Sequence, residues 1–385
     1  MSSCAALVVA AGRGSRFGGS VPKQYADLAG QPVIRHTLWA LLAHPEILAV
    51  QPVIHPDDHA LFADAAKGLP VLPAVFGGAT RQESVRLGLS ALSECAPDLV
   101  LVHDGARPRV AAGVIDRVVG ALKRSAAGVI PVIPVSETLK RIDTGSRITE
   151  TVARQNIVRA QTPQGFQFAA LKEAHERAAG QSLTDDAAVM EASGHPVMTV
   201  AGDIDNIKIT GTEDLLRVAE LMRETRTGIG FDVHRFGSGD GITLGGVLIP
   251  MDKALVGHSD ADVVLHAATD AILGALGDGD IGLHFPPSDP AYKGAPSRMF
   301  LEFAMARLRT QAGELKHLDI TVICERPKIS PLRDALRASI AEIAGVTVGR
   351  VSVKATTTEG LGFTGRGEGI ACQALATVQA FPISD

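Results

Sequence analysis

The sequence predicts a chain of the α/β class with two domains in tandem. The first, over residues 1–226, is a Rossmann-like α/β domain with a mostly parallel sheet. The second, over residues 227–385, is an α+β domain. Three observations carry this expectation. Up to about residue 220, short apolar β-branched runs alternate with helical stretches, the mark of parallel strands joined by crossover helices. The pattern then breaks at the polar stretch RETRTG, from Arg223, and restarts with GIGFDVHRF. Finally, 385 residues exceed the usual span of one domain.

In chain order, the first-domain strands are ALVVAA from Ala6, LAVQPVI from Leu48, DLVLVHD from Asp98, AGVIPVI from Ala127 and PVMTVAG from Pro196. Continuous apolar runs of this kind fit strands buried on both faces. Helices near 33–43, 80–94, 111–124, 167–179 and 212–224 lie between and after them. Such sheets collect ligands at the carboxyl ends of their strands. The Gly-rich AAGRGSRFGG and Asp104 both fall there. RETRTG reads as a linker. Beyond it, GIGFDVHRF, HLDITVICE and VGRVSVKATTT are further strands, with helices near 260–276, 297–312 and 331–344. No repeat relates the halves.

Composition narrows the function classes. A hydrophobic content of 46% fills two cores, yet no apolar run is long enough to span a bilayer. MSSCAALVVAAGRG has no basic region ahead of its apolar run, so it reads as a first strand and not a secretory signal. Four scattered cysteines without a CxxC pair point to reduced thiols and a cytoplasmic protein. A net charge of -5 argues against nucleic acid as partner.

Two constellations carry chemistry. Gly12, Gly14, Gly18 and Gly19 let backbone N–H groups approach phosphate oxygens closely. Their spacing is neither the dinucleotide fingerprint nor a Walker loop. Arg16 inside the loop and Lys23 just after it suit a phosphoryl transition state whose charge spreads over equatorial oxygens. A bare glycine loop also fits an ordinary βα turn with solvated cations. In the second half, Asp232 and His234 are two apart on a strand and share a face, with His266 on a following helix. Three protein ligands are the number that leaves a catalytic zinc one open position. Asp270, one turn beyond His266, either orients that imidazole or is a helix-surface carboxylate.

The ordered segments AAGRGSRFGG, PKQY, RQESV, VHDGARP, ETLKR, TVAR, QTPQ, TDDA and DNIKIT resemble the 2-C-methyl-D-erythritol 4-phosphate cytidylyltransferase family across residues 1–225. The resemblance implies a nucleotidyltransferase domain that joins CTP and methylerythritol phosphate and releases pyrophosphate. It implies that Gly12 and Gly14 line the triphosphate, that Arg16 and Lys23 stabilise the pentacoordinate transition state, and that Ser84 contacts the nucleotide. Asp104 would help hold Mg²⁺, while Arg107, Thr138, Arg154 and Lys208 hold the attacking phosphate, Arg154 and Lys208 being counted as catalytic. No general base is needed, because a phosphate monoester with a second pKa of about 6 is already mostly dianionic at pH 7. Gly105 stands where the family's HDAARP segment has alanine; it adds backbone freedom and removes no functional group.

Residues 228–380 resemble the 2-C-methyl-D-erythritol 2,4-cyclodiphosphate synthase family through GIGFDVHRF, LGGVLIP, GHSDADVVLHAATDAILGA, GDIGLHFPPSDP, YKGAPS and VKATTTEGLGFTGRGEGIAC. The implied reaction is attack of a 2-phosphate on the β-phosphorus of the cytidine diphosphate derivative, expelling CMP. By that resemblance Asp232, His234 and His266 bind Zn²⁺ or another divalent transition metal, and His258 and Ser259 position phosphates. Asp280 and Gly282 line the methylerythritol side, and Lys328 borders the cytosine pocket. Thr356, Thr357, Thr358 and Glu359 sit at the cytidine diphosphate, with Thr357 counted as catalytic beside His258 and Glu359 helping to hold Mg²⁺; Phe363 and Arg366 complete the pocket. Pro287 replaces an acid of the related FPDTDP segment, a change expected to touch affinity more than chemistry. The family's trimers, with sites between subunits, imply a homo-oligomer. Together the halves point to two steps of non-mevalonate isoprenoid synthesis that flank a kinase step absent from this chain. The alternatives are a nucleotidyltransferase for another polyol phosphate with a non-catalytic oligomerising second domain, and a non-catalytic cytidine-nucleotide sensor.

Overall fold

The opening apolar run forms strand β1 (Cys4–Ala10), buried at all but one position. Cys4, Ala6, Val8 and Ala10 pack into one core and Ala5 and Leu7 into another, as alternate side chains of a strand must. That two-sided cover is why the sequence shows no polar alternation here. The computed structural model describes all residues except 1, 14–16, 18–20, 287, 290–291, 293 and 383–385. The chain divides into two compact units, Met1–Leu221 and Met222–Asp385.

In the first unit α1 (Val33–Leu42), β2 (Ala49–Ile54), β3 (Val75–Phe76), α2 (Arg81–Ala91), β4 (Leu99–Asp104), α3 (Ala112–Lys123) and β5 (Gly128–Pro134) follow in alternation. A hairpin of β6 (Leu139–Ile142) and β7 (Ile148–Val152) comes next, then β8 (Val158–Ala160) and β9 (Gln164–Gln167). The unit closes with α4 (Phe168–Arg177), α5 (Asp186–Ala192), β10 (Val197–Ala201) and α6 (Thr212–Met222). The main sheet has the order β8-β5-β9-β4-β1-β2-β3, with β10 also paired to β5. β1 runs parallel to β2 and β4, and β10 parallel to β5. β8 and β9 run antiparallel to their neighbours, so the sheet is mostly parallel. α1 and α3 cover one face, α2 and α4 the other.

The second unit begins with β11 (Glu224–Gly237), followed by β12 (Ala254–Val256), α7 (Val263–Leu276), α8 (Arg298–Thr310), β13 (Glu314–Ile323), α9 (Arg333–Ala344), β14 (Val351–Thr356) and β15 (Gly369–Ala380). Its sheet order is β12-β11-β15-β13-β14, antiparallel except for β13 with β14. RETRTG is therefore not a linker: from Glu224 on it pairs residue by residue with Ala376–Ala380 of β15. Its two threonines are β-branched and suit a strand, polar as the segment is. α7 lies directly on β11. A Cβ at Gly228 would strike the backbone of Ala271 and Ala275, and one at Gly230 that of Ala267 and Ala271. Asp262 caps the helix, accepting from the N–H groups of Val264 and Leu265 at 3.1 Å each, and Gly277 ends it in the left-handed region at φ 67°. The opposite side of the strand leaves Ile229, Phe231 and Val233 exposed.

Candidate active sites

In the first unit Val9 of β1 stands beside Asp104 of β4 in register, so the loops leaving both strands emerge together. Asp104 Oδ2 lies 3.0 Å from Lys208 Nζ and 3.2 Å from Arg107 Nε, and Oδ1 lies 3.7 Å from Arg81 Nε. Burial alone would raise this carboxyl, but Lys208, Arg81 and Arg107 together hold it well below the usual carboxylate range. Its backbone N–H donates to Thr162 Oγ1 at 3.1 Å, and the Thr162 hydroxyl donates to His103 Nδ1 at 3.0 Å. His103 Nε2–H in turn donates to the Arg107 carbonyl at 3.1 Å. That direction requires a neutral imidazole, and burial pushes the His103 pKa down to about 4.

Gly12, Lys23, Ser84, Arg81 and Lys208 line one cavity with Asp104. Thr80 caps α2, accepting from the Glu83 N–H at 3.1 Å, which sets Arg81 and Ser84 in the first turn facing that cavity. Ser84 Oγ accepts from Gly78 N–H at 3.1 Å and donates to the Thr80 carbonyl at 2.9 Å. Gly14 and Arg16 lie outside the described residues. Lys208 also lines a neighbouring cavity, together with Arg107, Ser136, Glu137 and Arg159. Thr138 and Arg154 are exposed at the two ends of the β6–β7 hairpin and line neither cavity among the described residues; Arg154 donates to the Ser136 carbonyl.

Two features of this site escape the sequence. Arg81, inside the RQESV segment, carries no role there, yet its guanidinium spans Asp104 and the fully buried Asp186, 2.8 Å away. Asp186 accepts from His175 Nε2 at 3.0 Å. These partners come from α2, α4 and α5, and only the fold joins them. Gly105 also has a different meaning from the one expected. Its backbone is not left-handed; its N–H donates to the Val9 carbonyl at 2.9 Å, and an added Cβ would come within 2.9 Å of Ala10 Cβ. The missing side chain permits close packing and does not add freedom.

In the second unit the alternation of β11 turns Gly228, Gly230, Asp232 and His234 toward α7, where His266 waits. Asp232 Oδ2 lies 3.0 Å from His234 Nε2 and 2.9 Å from His266 Nδ1, and the two nitrogens are 3.1 Å apart. A tetrahedral ion with bonds of about 2.0–2.2 Å spaces its ligand atoms about 3.4 Å apart, so a slight opening admits one. The outer nitrogens agree with this. His234 Nδ1–H donates to the Val256 carbonyl at 3.2 Å, and His266 Nε2–H reaches Ser297 Oγ at 2.8 Å and Ser259 Oγ at 3.1 Å. Both rings thus present a lone pair inward. Ser297 is held by the Asp260 carboxylate, which takes its N–H at 3.1 Å and also its hydroxyl.

Ser297 and Asp260 occupy the orienting position that Asp270 was a candidate for. Asp270 Oδ1 instead accepts the Ile281 N–H at 2.8 Å. His258 and Ser259 line the cavity in front of the cluster with His234, His266 and Phe285. Asp280 caps the short helix Ile281–His284 through Leu283 N–H at 2.9 Å, with exposed Gly282 inside it; they flank Ile281, which lines that cavity. Among the described residues, Lys328, Thr356, Thr357, Thr358, Glu359, Phe363 and Arg366 do not line it. Thr356 is the last residue of β14 and the other five follow it, where Thr357 Oγ1 donates to Glu359 Oε1 at 2.9 Å and Thr358 shares a hydrogen bond with Thr364 at 3.0 Å. Pro287 lies outside the described residues.

Residues 4–224 match the family model of 2-C-methyl-D-erythritol 4-phosphate cytidylyltransferase, and residues 225–379 that of the YgbB family. The bifunctional enzyme IspD/IspF of Rhodospirillum rubrum is 55% identical over 382 residues, 98% of this chain and 99% of its own. The bifunctional enzyme IspD/IspF of Paramagnetospirillum magneticum is also 55% identical, with the same coverage of both chains. The solved structure of the bifunctional IspDF from Campylobacter jejuni is 32% identical and covers 99% of each chain, with a TM-score of 0.49. With a family model on each half and relatives that match it nearly end to end, this chain belongs to the bifunctional IspD/IspF family.

Proposed function

We propose that the chain is a bifunctional enzyme of non-mevalonate isoprenoid synthesis, a cytidylyltransferase and a cyclodiphosphate synthase, with one centre in each unit. The observation that carries this is the pair of sites itself: a buried carboxylate ringed by Lys208, Arg107 and Arg81, and an Asp232–His234–His266 cluster with all ligand atoms within 4.8 Å.

In the first reaction a phosphate oxygen of 2-C-methyl-D-erythritol 4-phosphate attacks the α-phosphorus of CTP, and pyrophosphate leaves. Gly12 and Gly14 admit the triphosphate, Ser84 contacts the nucleotide, and Arg16 and Lys23 stabilise charge on the reacting phosphorus. Arg107 and Lys208 hold the acceptor phosphate; the same role for Thr138 and Arg154 needs the exposed hairpin to reach it. Asp104 would be the protein carboxylate that holds Mg²⁺, which would supply further charge neutralisation. The dianionic acceptor brings its own nucleophile, so the residues align two anions and balance their repulsion.

In the second reaction the 2-phosphate of 4-diphosphocytidyl-2-C-methyl-D-erythritol 2-phosphate attacks the β-phosphorus, CMP leaves, and 2-C-methyl-D-erythritol 2,4-cyclodiphosphate forms. Asp232, His234 and His266 would hold Zn²⁺ or another divalent transition ion and Glu359 would help hold Mg²⁺, ions that would supply Lewis-acid charge to the diphosphate. His258 and Ser259 position the phosphates, and Asp280 and Gly282 the methylerythritol. Lys328, Thr356, Thr357, Thr358, Phe363 and Arg366 serve the cytidine end, from a neighbouring subunit of a homo-oligomeric, trimeric cyclase. Two observations support that assembly: these residues do not line the metal cavity of their own chain, and Ile229, Phe231, Val233 and Leu375 form an exposed apolar face. The converged cluster also speaks against a non-catalytic second domain. A cytoplasmic location fits four free cysteines, and no described helix is long and apolar enough to cross a membrane.

Incubation with CTP, methylerythritol phosphate and Mg²⁺ should release pyrophosphate, and the 2-phosphate substrate with Zn²⁺ and Mg²⁺ should release CMP. No product above a control lacking the acceptor or the substrate overturns the corresponding half.

A further inference from the structure

We propose that Asp58 is a positioning residue for cytidylyl transfer: its buried carboxylate fixes the start of the glycine loop against the Lys23 segment through Arg13 and Gln24. The proposal rests on the cytidylyltransferase reading of the first site. Asp58 is 1% exposed, and a buried carboxylate needs partners. It stands at the N-cap of the helix His59–Ala65, where aspartate usually accepts from the helix's own N–H groups, but its side chain makes no such bond. The carboxylate is turned to the glycine loop instead. Oδ1 accepts from Arg13 Nη1 at 3.1 Å, and Oδ2 lies against the Gln24 amide, 3.5 Å from Nε2.

Arg13 directly follows Gly12. Its Nη2 donates to His55 Nδ1 at 2.8 Å and pairs with the Asp57 carboxylate. His55 Nδ1 also takes the Asp57 N–H at 3.2 Å, which identifies that nitrogen as the acceptor. Gln24, 2% exposed, donates to the Ala10 carbonyl at 2.8 Å and the Gly12 carbonyl at 3.2 Å. One amide thus ties the end of β1, the first loop glycine and the residue beside Lys23, and one carboxylate holds Arg13 while packing against that amide. Gly12, Lys23 and Gln24 line the cavity with Asp104; Asp58 does not. It acts on the site only through what it holds. Displacing catalytic groups by about 1 Å costs on the order of 100-fold, so a loosened clamp reads out in turnover.

The test uses the full-length chain with Asp58→Ala, Asp58→Asn, Arg13→Ala and the double variant Arg13→Ala/Asp58→Ala. For each, kcat and KM for CTP and for methylerythritol phosphate are measured well below the thermal midpoint, with cyclase turnover of the same preparation as internal reference. We expect Asp58→Ala and Arg13→Ala each to lower transfer kcat/KM about tenfold, chiefly on the CTP side, with cyclase turnover unchanged. The double variant should be no worse than the poorer single, because both break one clamp, and Asp58→Asn, which keeps an acceptor for Arg13, should recover part of the loss. Transfer within about twofold of wild type in Asp58→Asn and Arg13→Ala overturns the clamp, and this measure stands even if Asp58→Ala fails to fold; where Asp58→Ala folds, additive losses in the double variant overturn it as well. A wild-type chain that releases no pyrophosphate removes the cytidylyltransferase reading and this proposal with it.

Discussion

The two sites handle similar chemistry with different construction. In the first unit, the charged groups hang from loops and helix starts: Arg107 just after β4, Arg81 at the first turn of α2, Lys208 ahead of α6. They converge on one carboxylate and hold it by charge. In the second unit the three candidate ligands stand on one strand and one helix, pressed together through glycine and alanine with no side chain between. The charge balance that keeps Asp104 ionised tolerates modest shifts of the groups around it, because Coulomb attraction falls off slowly. A metal cluster on packed elements does not, since ligand distances matter to within a few tenths of an ångström.

The sharpest way to break this contrast is His234→Ala, which should abolish bound zinc by metal analysis and cyclase turnover while transfer continues. Loss of both activities would mean that the sites are not independent. Lys23→Ala is the counterpart: transfer should fall about 100-fold or more with the metal content intact. Gly230→Ala sharpens the comparison without touching a ligand. Its methyl meets the α7 backbone, so the second unit should lose about 3 kcal/mol in denaturant unfolding and cyclase activity with it. Wild-type stability in that variant would show that helix and strand separate easily.

The first unit should answer to pH. His103 is neutral in the fold, with its pKa lowered from 6.5 to about 4, so the unfolded chain takes up a proton first as the medium acidifies. Its contribution is fully present above pH 6.5, is lost as pH falls toward 4, and amounts to roughly 3 kcal/mol. Denaturation followed by the fluorescence of Trp39, the one tryptophan, should show this slope, and His103→Gln should flatten it. The smallest effect belongs to Gly105→Ala. It introduces the residue expected from related sequences, yet here it should cost about 1 kcal/mol, because Ala10 stands too close.

What the sequence reveals about these sites follows the same divide. β1 and β4 are readable because burial on both faces leaves continuous apolar runs, and Asp232, His234 and His266 because strand period and helix placement constrain them locally. The β6–β7 hairpin has almost no buried side chains, so no periodicity marks it. β15 hides behind alanines: Ala374, Ala376 and Ala380 are fully buried, but alanine is a poor strand signal. Support for His266 is harder still. Asp270 sits one helical turn away and looks suitable, whereas Ser297, itself held by Asp260, reaches the ring across the fold. The same holds for Arg81 and Asp186, whose contact exists only after α2 and α5 have packed.

The strand Glu224–Gly237 carries one further consequence. Its inward set is Gly228, Gly230, Asp232 and His234, and its outward set is Ile229, Phe231 and Val233. Adding or deleting a single residue between Gly228 and His234 would exchange the two sets, driving bulky chains into the helix backbone and turning Asp232 and His234 out. In any collection of length variants, this short window should be the place where no insertion or deletion survives.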